Sequence, residues 1–484
     1  MKRLDYDALN RQFALTCTSV DIGKSSQSSQ SSLLHGEAAD KVIMFRQRYS
    51  LIQQRLLRQQ MFRKGMMTNR QHHHKQNNKE HSDGTNRYSI TPIESLIGRP
   101  NKFTCYLLGL ITQVEEGQYH LEDLSASIPI YSDDDSFSRV KMASDGIITE
   151  GSIVLVQGEI IDGVLHMMEV ALPMSETRMD ALNVIGYQSS DIFGAIGSVS
   201  QHERLLQQEL ECGLHKESMF VVLSDVNLDL PHVMEKLELL FGGYQYVDPL
   251  PVFVFMGNFS STPFSYTKDA ATEMMQQFDE LGRLICKFPA LAQDARFVFV
   301  PGPQDPGAGR ILPRPPIPSL FTASLRQKVP HATFASNPCR IRFFTKELVF
   351  YRDNIVQKMR RHAIIPLRVN VTVGDDDMTD DDTEEIDLAM HYTKTIIDQA
   401  HLCPLPMANN PIYWKNDHPL RLYPIPDAVI AGDSVDQYQK RHQECEVLNP
   451  GSFPVDYSFV VYRPVCVNEN NEVTSEVEFS RIDH

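Results

Sequence analysis

The sequence predicts an α+β protein of several domains, a small closed β-barrel followed by a larger unit in which strands and helices alternate. Three observations carry this. The chain has 484 residues, enough for two to four domains at roughly 100–200 residues each. Apolar residues recur with period two from Phe103 to Val170, the spacing of half-buried strands. From Met219 onward short apolar runs alternate with segments of helical spacing, the pattern of an α/β sheet.

Residues 1–39 read as a disordered tail, because Ser25 to Ser32 (SSQSSQSS) cannot build a core. An amphipathic helix is expected over 40–65, with Phe45, Tyr49, Ile52 and Leu56 on one face and Arg46, Arg48, Arg55 and Arg58 around the rest. Those arginines leave two readings open: a helix docked on the next domain, or a nucleic-acid or partner-binding helix. Residues 66–90 form a polar linker containing His72-His73-His74.

The barrel spans 91–175. Its strand candidates are Phe103 to Val114, Tyr119 to Glu122, Ser127 to Tyr131, Ile153 to Ile161 and Val164 to Val170, with turns at Glu116-Gly117 and Asp162-Gly163. Five short strands in about 70 residues fit an OB-fold. Between Pro100 and Leu172, however, there are three basic and twelve acidic residues, a net charge of −9. A single-strand groove needs a positive channel, so this barrel is expected to bind protein.

After a connector at 176–216, buried strands are expected at Met219 to Leu223, Val252 to Met256 and Arg296 to Val300. Helices are expected from Pro231 to Phe241, stopped by Gly242-Gly243, and from Lys268 to Phe288. In such a sheet, function lies at the C-terminal strand ends. The loops there read Ser224-Asp225-Val226-Asn227, Gly257-Asn258-Phe259-Ser260-Ser261 and Pro301-Gly302-Pro303-Gln304-Asp305. Gly257 and Gly302 are expected at turns that use positive φ.

Net charge is −16; nine acids without a Lys or Arg lie in Gly374 to Asp387, and without them it is −7. That run reads as a solvated loop, or as an acidic docking element for a basic partner. The globally acidic balance argues against tight, direct DNA binding. Eight cysteines without a C-x-x-C pair read as reduced thiols. No apolar stretch approaches the ~20 residues of a membrane span. The last residues, 467–484, are expected to be a tail.

The loops after the three strands are similar to those of calcineurin-like metallophosphoesterases, which carry D-x-H, G-D-x-x-D and G-N-H-D. His401-Leu402-Cys403-Pro404-Leu405, Pro426 to Val435 and Asn449-Pro450-Gly451-Ser452-Phe453 resemble later segments of that family. The fold implied is an OB-fold β-barrel plus a calcineurin-like α/β metallophosphoesterase-type β-sandwich flanked by helices, over 217–466. Ligand by ligand, Asp225 and His401 match. Asn227 stands for a histidine, Asn258 for the bridging aspartate, Pro303 and Gln304 for Asn and His, and Asp433 and Val435 for two histidines. Ser261, in the loop after the second strand, and Asp305, in the loop after the third, are further vestigial positions of the same resemblance. A dimetal site needs several N and O donors with a carboxylate between the ions, so the expectation is no metal, no cofactor and no hydrolysis. Structural roles are expected for Asp225, as a local turn cap, and for His401, packed against Pro404.

A barrel followed by such a domain resembles the B-subunits of eukaryotic replicative DNA polymerases, and the epsilon branch in particular. The stretches that carry this are FVVLSDVNLD (220–229), FMGNFSS (255–261), RFVFVPGPQDPG (296–307), ILPRPP (311–316), Arg340 to Arg342 beside Asn337-Pro338, NPGSFP (449–454) and FRQRY (45–49). The resemblance covers roughly 37–466. It implies a non-catalytic accessory subunit in the nucleus. Its partners would be the zinc-containing C-terminal region of the catalytic subunit, other subunits of that polymerase and the replicative helicase assembly, with DNA met mostly through the complex. The barrel and the Pro-rich loop Ile311 to Pro318 are the expected partner surface. Members of this family often begin with a small helical module of the AAA+ type that links the polymerase to the replicative helicase assembly; only ~39 low-complexity residues precede the helix here, so the module is expected to be absent or truncated and that link with it. Other readings are a residual phosphodiesterase using Asp225, Asp305 and His401, an autonomous nucleic-acid-binding barrel, and a B-subunit of another replicative polymerase.

Overall fold

The computed structural model describes residues 2–7, 12–17, 36–62, 88–132, 136–185, 206, 209, 218–307, 310–367, 386–467 and 473–483. Most of the linker, most of the connector after 185 and nearly all of the acidic run lie outside these residues.

The barrel is built from β3 (Phe103–Glu115), β4 (Gln118–Glu122), β5 (Ser127–Pro129), β6 (Lys141–Met142), β7 (Ile153–Ile161) and β8 (Val164–Ala171), in the order β5-β4-β3-β7-β8-β6. It closes where Ile130 bridges Leu165 and the Tyr131 N–H donates to the Leu165 carbonyl at 2.8 Å. The β7–β8 turn has φ of 51° at Asp162 and 79° at Gly163, the double positive φ of a tight hairpin. Leu107, Ile111, Leu121, Val154, Val156 and Leu165 fill the interior.

The second unit has two facing sheets with helices outside both. One sheet holds β9 (Phe220–Ser224), β10 (Val252–Met256), β11 (Arg296–Val300), β12 (Ala332–Phe334), β18 (Ser458–Val467) and β19 (Val473–Arg481), in the order β12-β11-β10-β9-β18-β19. The other holds β1 (Lys2–Asp7), β2 (Gln12–Cys17), β13 (Cys339–Phe343), β14 (Lys346–Arg352), β15 (Ala428–Gly432), β16 (Tyr438–His442) and β17 (Cys445–Asn449), in the order β16-β17-β15-β14-β13-β1-β2. Phe220, Val222, Val254 and Val298 meet Ile341, Leu348, Phe350 and Ile430 between the sheets. The alternate residues Val221, Phe253, Phe255 and Phe297 face helices α2 (Pro231–Tyr244), α3 (Lys268–Cys286) and α4 (Ser319–Lys328). Strands covered on both faces must be apolar throughout, which is why FVVLS and VFVFM show no alternation. Helices α5 (Ile355–Arg361) and α6 (Leu388–Asp398) cover the other sheet through Ile355, Met359, Tyr392 and Ile396.

Four expectations are corrected. Lys2–Asp7 and Gln12–Cys17 pair antiparallel, and the first also pairs parallel with β13, so the expected tail at 1–39 contains a hairpin. Its short period-two runs, Leu4/Tyr6 and Phe13/Leu15, were masked by the Ser/Gln repeat beside them. The expected tail at 467–484 holds β19, tied to β18 from Ser458↔Arg481 onward, because VTSEVEFSR alternates polar and apolar residues. Gly242-Gly243 does not stop α2, which runs on to Tyr244 with its last turn closed by a Gln245 N–H to Phe241 carbonyl bond.

The fourth concerns the amphipathic helix, α1 (Ala38–Arg58): it is docked on the next domain, the first of its two readings, but it ends at Arg58 and not at 65, and Arg48 and Arg55 turn inward. Arg48 and Arg55 are buried with Met44, Tyr49, Ile52 and Leu56. Tyr49 donates to the Leu108 carbonyl of the barrel at 2.9 Å. Arg48 pairs with Asp417, Arg55 donates to the carbonyls of Pro173 (2.9 Å) and Asp398, and Arg58 pairs with Glu176 and bonds Tyr423. The helix therefore straps the barrel to the two-sheet unit, and three of its four arginines are spent on that. Direct contacts add to the strap: Gln399 exchanges two bonds with the Ile153 backbone (2.9 and 2.7 Å), and Thr149 donates to the Pro404 carbonyl at 2.7 Å.

Candidate functional site

The C-terminal ends of β9, β10, β14 and β15 meet at one crevice, and the loops singled out in the sequence line it. Asp225 leaves β9 with φ of 58°, a left-handed conformation that costs a non-glycine residue about 1–2 kcal/mol. Its carboxylate explains how that is tolerated. Oδ1 accepts from the Asn258 N–H and Nδ2, both at 3.2 Å, and from the Arg352 guanidinium; Oδ2 accepts from Ser452 Oγ at 3.1 Å and Ser434 Oγ at 3.4 Å. Asp225 is thus the hub of five contacts rather than a local turn cap.

Asn227 Nδ2 donates to the Asn258 carbonyl at 2.9 Å, and Asn258 Oδ1 accepts from the Gln304 N–H at 2.9 Å. Asp305 accepts from the N–H groups of Phe259 and Gly302, both at 2.7 Å. Burial pushes the Asp305 carboxyl up to about 6 despite those two bonds and the nearby Arg352 and Arg314. Gly257 and Gly302 are glycine for closeness and not for φ. A Cβ on Gly257 would lie 2.0 Å from Asp305 Oδ2, and one on Gly302 would lie 2.5 Å from Asn258 Oδ1. Asp433 accepts from the N–H groups of Val356 (3.0 Å) and Ser434 (2.7 Å), and burial raises its carboxyl above the usual range.

Not every expected position joins this group. Ser261 is exposed and bonds Asp229 at 2.9 Å through its N–H. Pro303 and Val435 are half-buried and bring no donor. His401 belongs to the strap. Its Nε2 meets Asp417 Oδ1 at 3.1 Å, while Nδ1 accepts from the Cys403 N–H at 3.0 Å. That pattern fixes a neutral imidazole protonated on Nε2, and burial together with Arg48 lowers its pKa to about 4. His401 therefore holds Asp417, which Arg48 and Arg421 also grip, instead of packing only against Pro404. The Pro-rich loop also differs from expectation. Leu312, Arg314 and Ile317 are buried, and only Pro316 and Pro318 of that stretch are exposed.

The residue that sequence reasoning missed is Arg352, at the end of β14. It is fully buried. Its Nε donates to the Gly257 carbonyl at 2.6 Å, one terminal nitrogen donates to Asn354 Oδ1 (2.6 Å) and the Gly432 carbonyl (3.1 Å), and the other pairs with Asp225. Burial works against the charge, but Asp225, Asp433 and Asp353 outweigh it and keep the group protonated. The signal was present: Arg352-Asp353-Asn354 follows directly on the apolar run ending at Tyr351, where a strand end opens into the crevice.

The fold resemblance raised a dimetal centre, and these residues do not fit one. Asp225 is already neutralised by Arg352, Asn258 and Asp305 spend their oxygens on backbone N–H groups, and His401 faces the strap. The geometry defines a two-domain protein whose crevice is closed by its own polar network.

Comparison with known proteins gives that class its name. A family model described as DNA polymerase epsilon subunit 2-like, OB-fold domain, matches residues 38–174, and the family model of the DNA polymerase alpha/epsilon B-subunit matches 220–440. The B-subunit of DNA polymerase epsilon from Arabidopsis thaliana is 35% identical over 482 residues, covering 99% of this chain and 81% of the relative. DNA polymerase epsilon subunit 2 of Homo sapiens is 36% identical over 436 residues, covering 89% and 75%. Among solved structures, an archaeal phosphodiesterase covers 54% of this chain and 99% of its own at 12% identity, with a TM-score of 0.25, too loose a likeness to argue from. The chain belongs to the family of DNA polymerase epsilon B-subunits.

Proposed function

We propose that this chain is a non-catalytic accessory subunit of DNA polymerase epsilon. In that reading it acts in nuclear DNA replication and scaffolds the zinc-containing C-terminal region of the catalytic subunit. Family membership across both domains supports the assignment. The single structural observation behind "non-catalytic" is the Arg352–Asp225 pair in the crevice. A guanidinium bonded to the carboxylate that would start a metal site leaves no place for a hydrolytic centre, and the calcineurin-like domain then serves as a scaffold.

A scaffold must be rigid, and the strap supports that. Arg48, Arg55 and Arg58 are each anchored more than 100 residues away along the chain, so the barrel and the two-sheet unit present one continuous surface. Obligate subunits bury more than ~2,000 Å² at such surfaces. The acidic barrel favours a protein partner over bare nucleic acid. Contact with other subunits and with the replicative helicase assembly follows from the same reading, with DNA approached through the complex.

The test is affinity purification of the full chain from cells. The catalytic subunit of polymerase epsilon is expected at near-equal stoichiometry, and its absence above background overturns the assignment. Separately, the purified chain is expected to show no phosphodiester hydrolysis with Mn²⁺. Turnover that Asp225→Ala abolishes overturns the non-catalytic reading.

A further inference from the structure

The crevice carries its own cation. Four oxygens from four segments converge on the Arg352 guanidinium: Asp225 Oδ1 after β9, the Gly257 carbonyl at 2.6 Å after β10, the Gly432 carbonyl at 3.1 Å at the end of β15, and Asn354 Oδ1 at 2.6 Å after β14. One carboxylate oxygen with three neutral oxygens is the type of all-oxygen surrounding that hard cations favour. Strands β9 and β10 belong to one sheet, and β14 and β15 to the other. The group at their centre therefore binds the two sheets together at the end where their loops diverge.

The surroundings leave little room for another arrangement. A Cβ on Gly432 would lie 2.7 Å from Ser224 Oγ, 2.9 Å from Met256 Cε and 3.0 Å from Arg352 Cδ, so a side chain there would crowd the arginine stem and both its neighbours. Asp225, in its left-handed conformation, faces the guanidinium on one side and two serine hydroxyls on the other.

We propose that Arg352 is the resident cation of this crevice, a tethered positive charge that clamps the strand ends of both sheets as a bound metal ion would, and so makes the scaffold independent of free metal. The proposal rests on the non-catalytic reading of the crevice, with which it shares the Arg352–Asp225 pair, and not on which polymerase the chain joins.

The test uses the full-length chain and its thermal unfolding. The wild type is expected to keep its Tm in chelator. Arg352→Ala is expected to lower Tm by about 10 °C, because it leaves Asp225 buried and uncompensated. Guanidinium at millimolar concentration is expected to restore part of that loss, since it supplies the missing fork to the same four oxygens. Urea, of similar shape but uncharged, is expected to restore none. Rescue by Ca²⁺ or Mn²⁺ equally supports a cation-binding void. An unchanged Tm in Arg352→Ala, equal rescue by urea, or a lowered Tm that no cation raises overturns the proposal. Should the variant yield no soluble protein, soluble yields of Arg352→Met and Asp225→Asn/Arg352→Met decide. Removing the orphaned carboxylate must raise the yield, and a double variant no better than the single one overturns the proposal.

Discussion

Arg55 in the strap offers the sharpest test of how the two domains are held. It is 1% exposed on α1, with strong bonds to the carbonyls of Pro173 and Asp398 and a longer one, 3.5 Å, to that of Ile397. Arg55→Ala orphans two well-bonded buried carbonyls, at ~1–2 kcal/mol each. It also removes a buried stem whose packing is worth ~1 kcal/mol. Part of this is offset, because burial already penalises the charge and lowers its pKa to about 10. The net loss expected is ~3 kcal/mol, or roughly 3–5 °C in Tm for a chain of this size. Arg46→Ala, on the exposed side of the same helix, is expected to stay within ~0.5 kcal/mol. The assay is urea and thermal unfolding followed by circular dichroism on the full chain. A loss below ~1 kcal/mol at Arg55, or equal losses at the two positions, refutes the strap.

Three further outcomes are expected. Asp305 titrates near 6 in the folded chain, above its unfolded value of about 3.9. It therefore favours the fold fully below that value, and the advantage is lost as pH rises through about 6. The stability of the wild type relative to Asp305→Asn should fall over that window by ~2–3 kcal/mol and then level, as Tm against pH reads. His401 has the opposite sign. Its folded pKa of about 4 lies below the ordinary value near 6.5, so its contribution is present above pH 6.5 and lost as pH falls toward 4, and His401→Gln should flatten that acid limb. Gly163→Val forces a β-branched residue to φ of 79° and is expected to destabilise the barrel by about 1–2 kcal/mol in urea unfolding.

What the sequence disclosed follows the range of the forces involved. Strands β3, β7, β9, β10 and β11 were legible because apolar spacing is local, and Asp162-Gly163 because a two-residue turn demands particular φ values. The loops after β9 and β10 were legible because the crevice of such a sheet lies at fixed strand ends. Arg352 was not: its meaning depends on Asp225, 127 residues earlier, and no window of sequence contains both. The arginines of α1 leave two readings open for the same reason. On a helix alone Arg48 and Arg55 look like a basic face; only Asp417 and the 397–398 carbonyls turn them inward. At Gly257 and Gly302 the expected positive φ is not what the structure uses; the cause is crowding against Asp305 and Asn258, which needs three dimensions to see.

The Arg48–Asp417 pair joins residues 369 positions apart, which places a clock on biosynthesis. At ~5–20 residues per second, the socket leaves the ribosome roughly 20–70 seconds after the helix that fills it. Over that interval Tyr49, Ile52 and Leu56 already have Leu108 and Ile153 of the barrel to pack on, while Arg48 and Arg55 still lack Asp417 and the Asp398 carbonyl. Pairing of Arg48 with Asp417 thus marks a translation product that has reached its last third, and a prematurely terminated one would keep two guanidinium groups without their partners for quality-control factors to find.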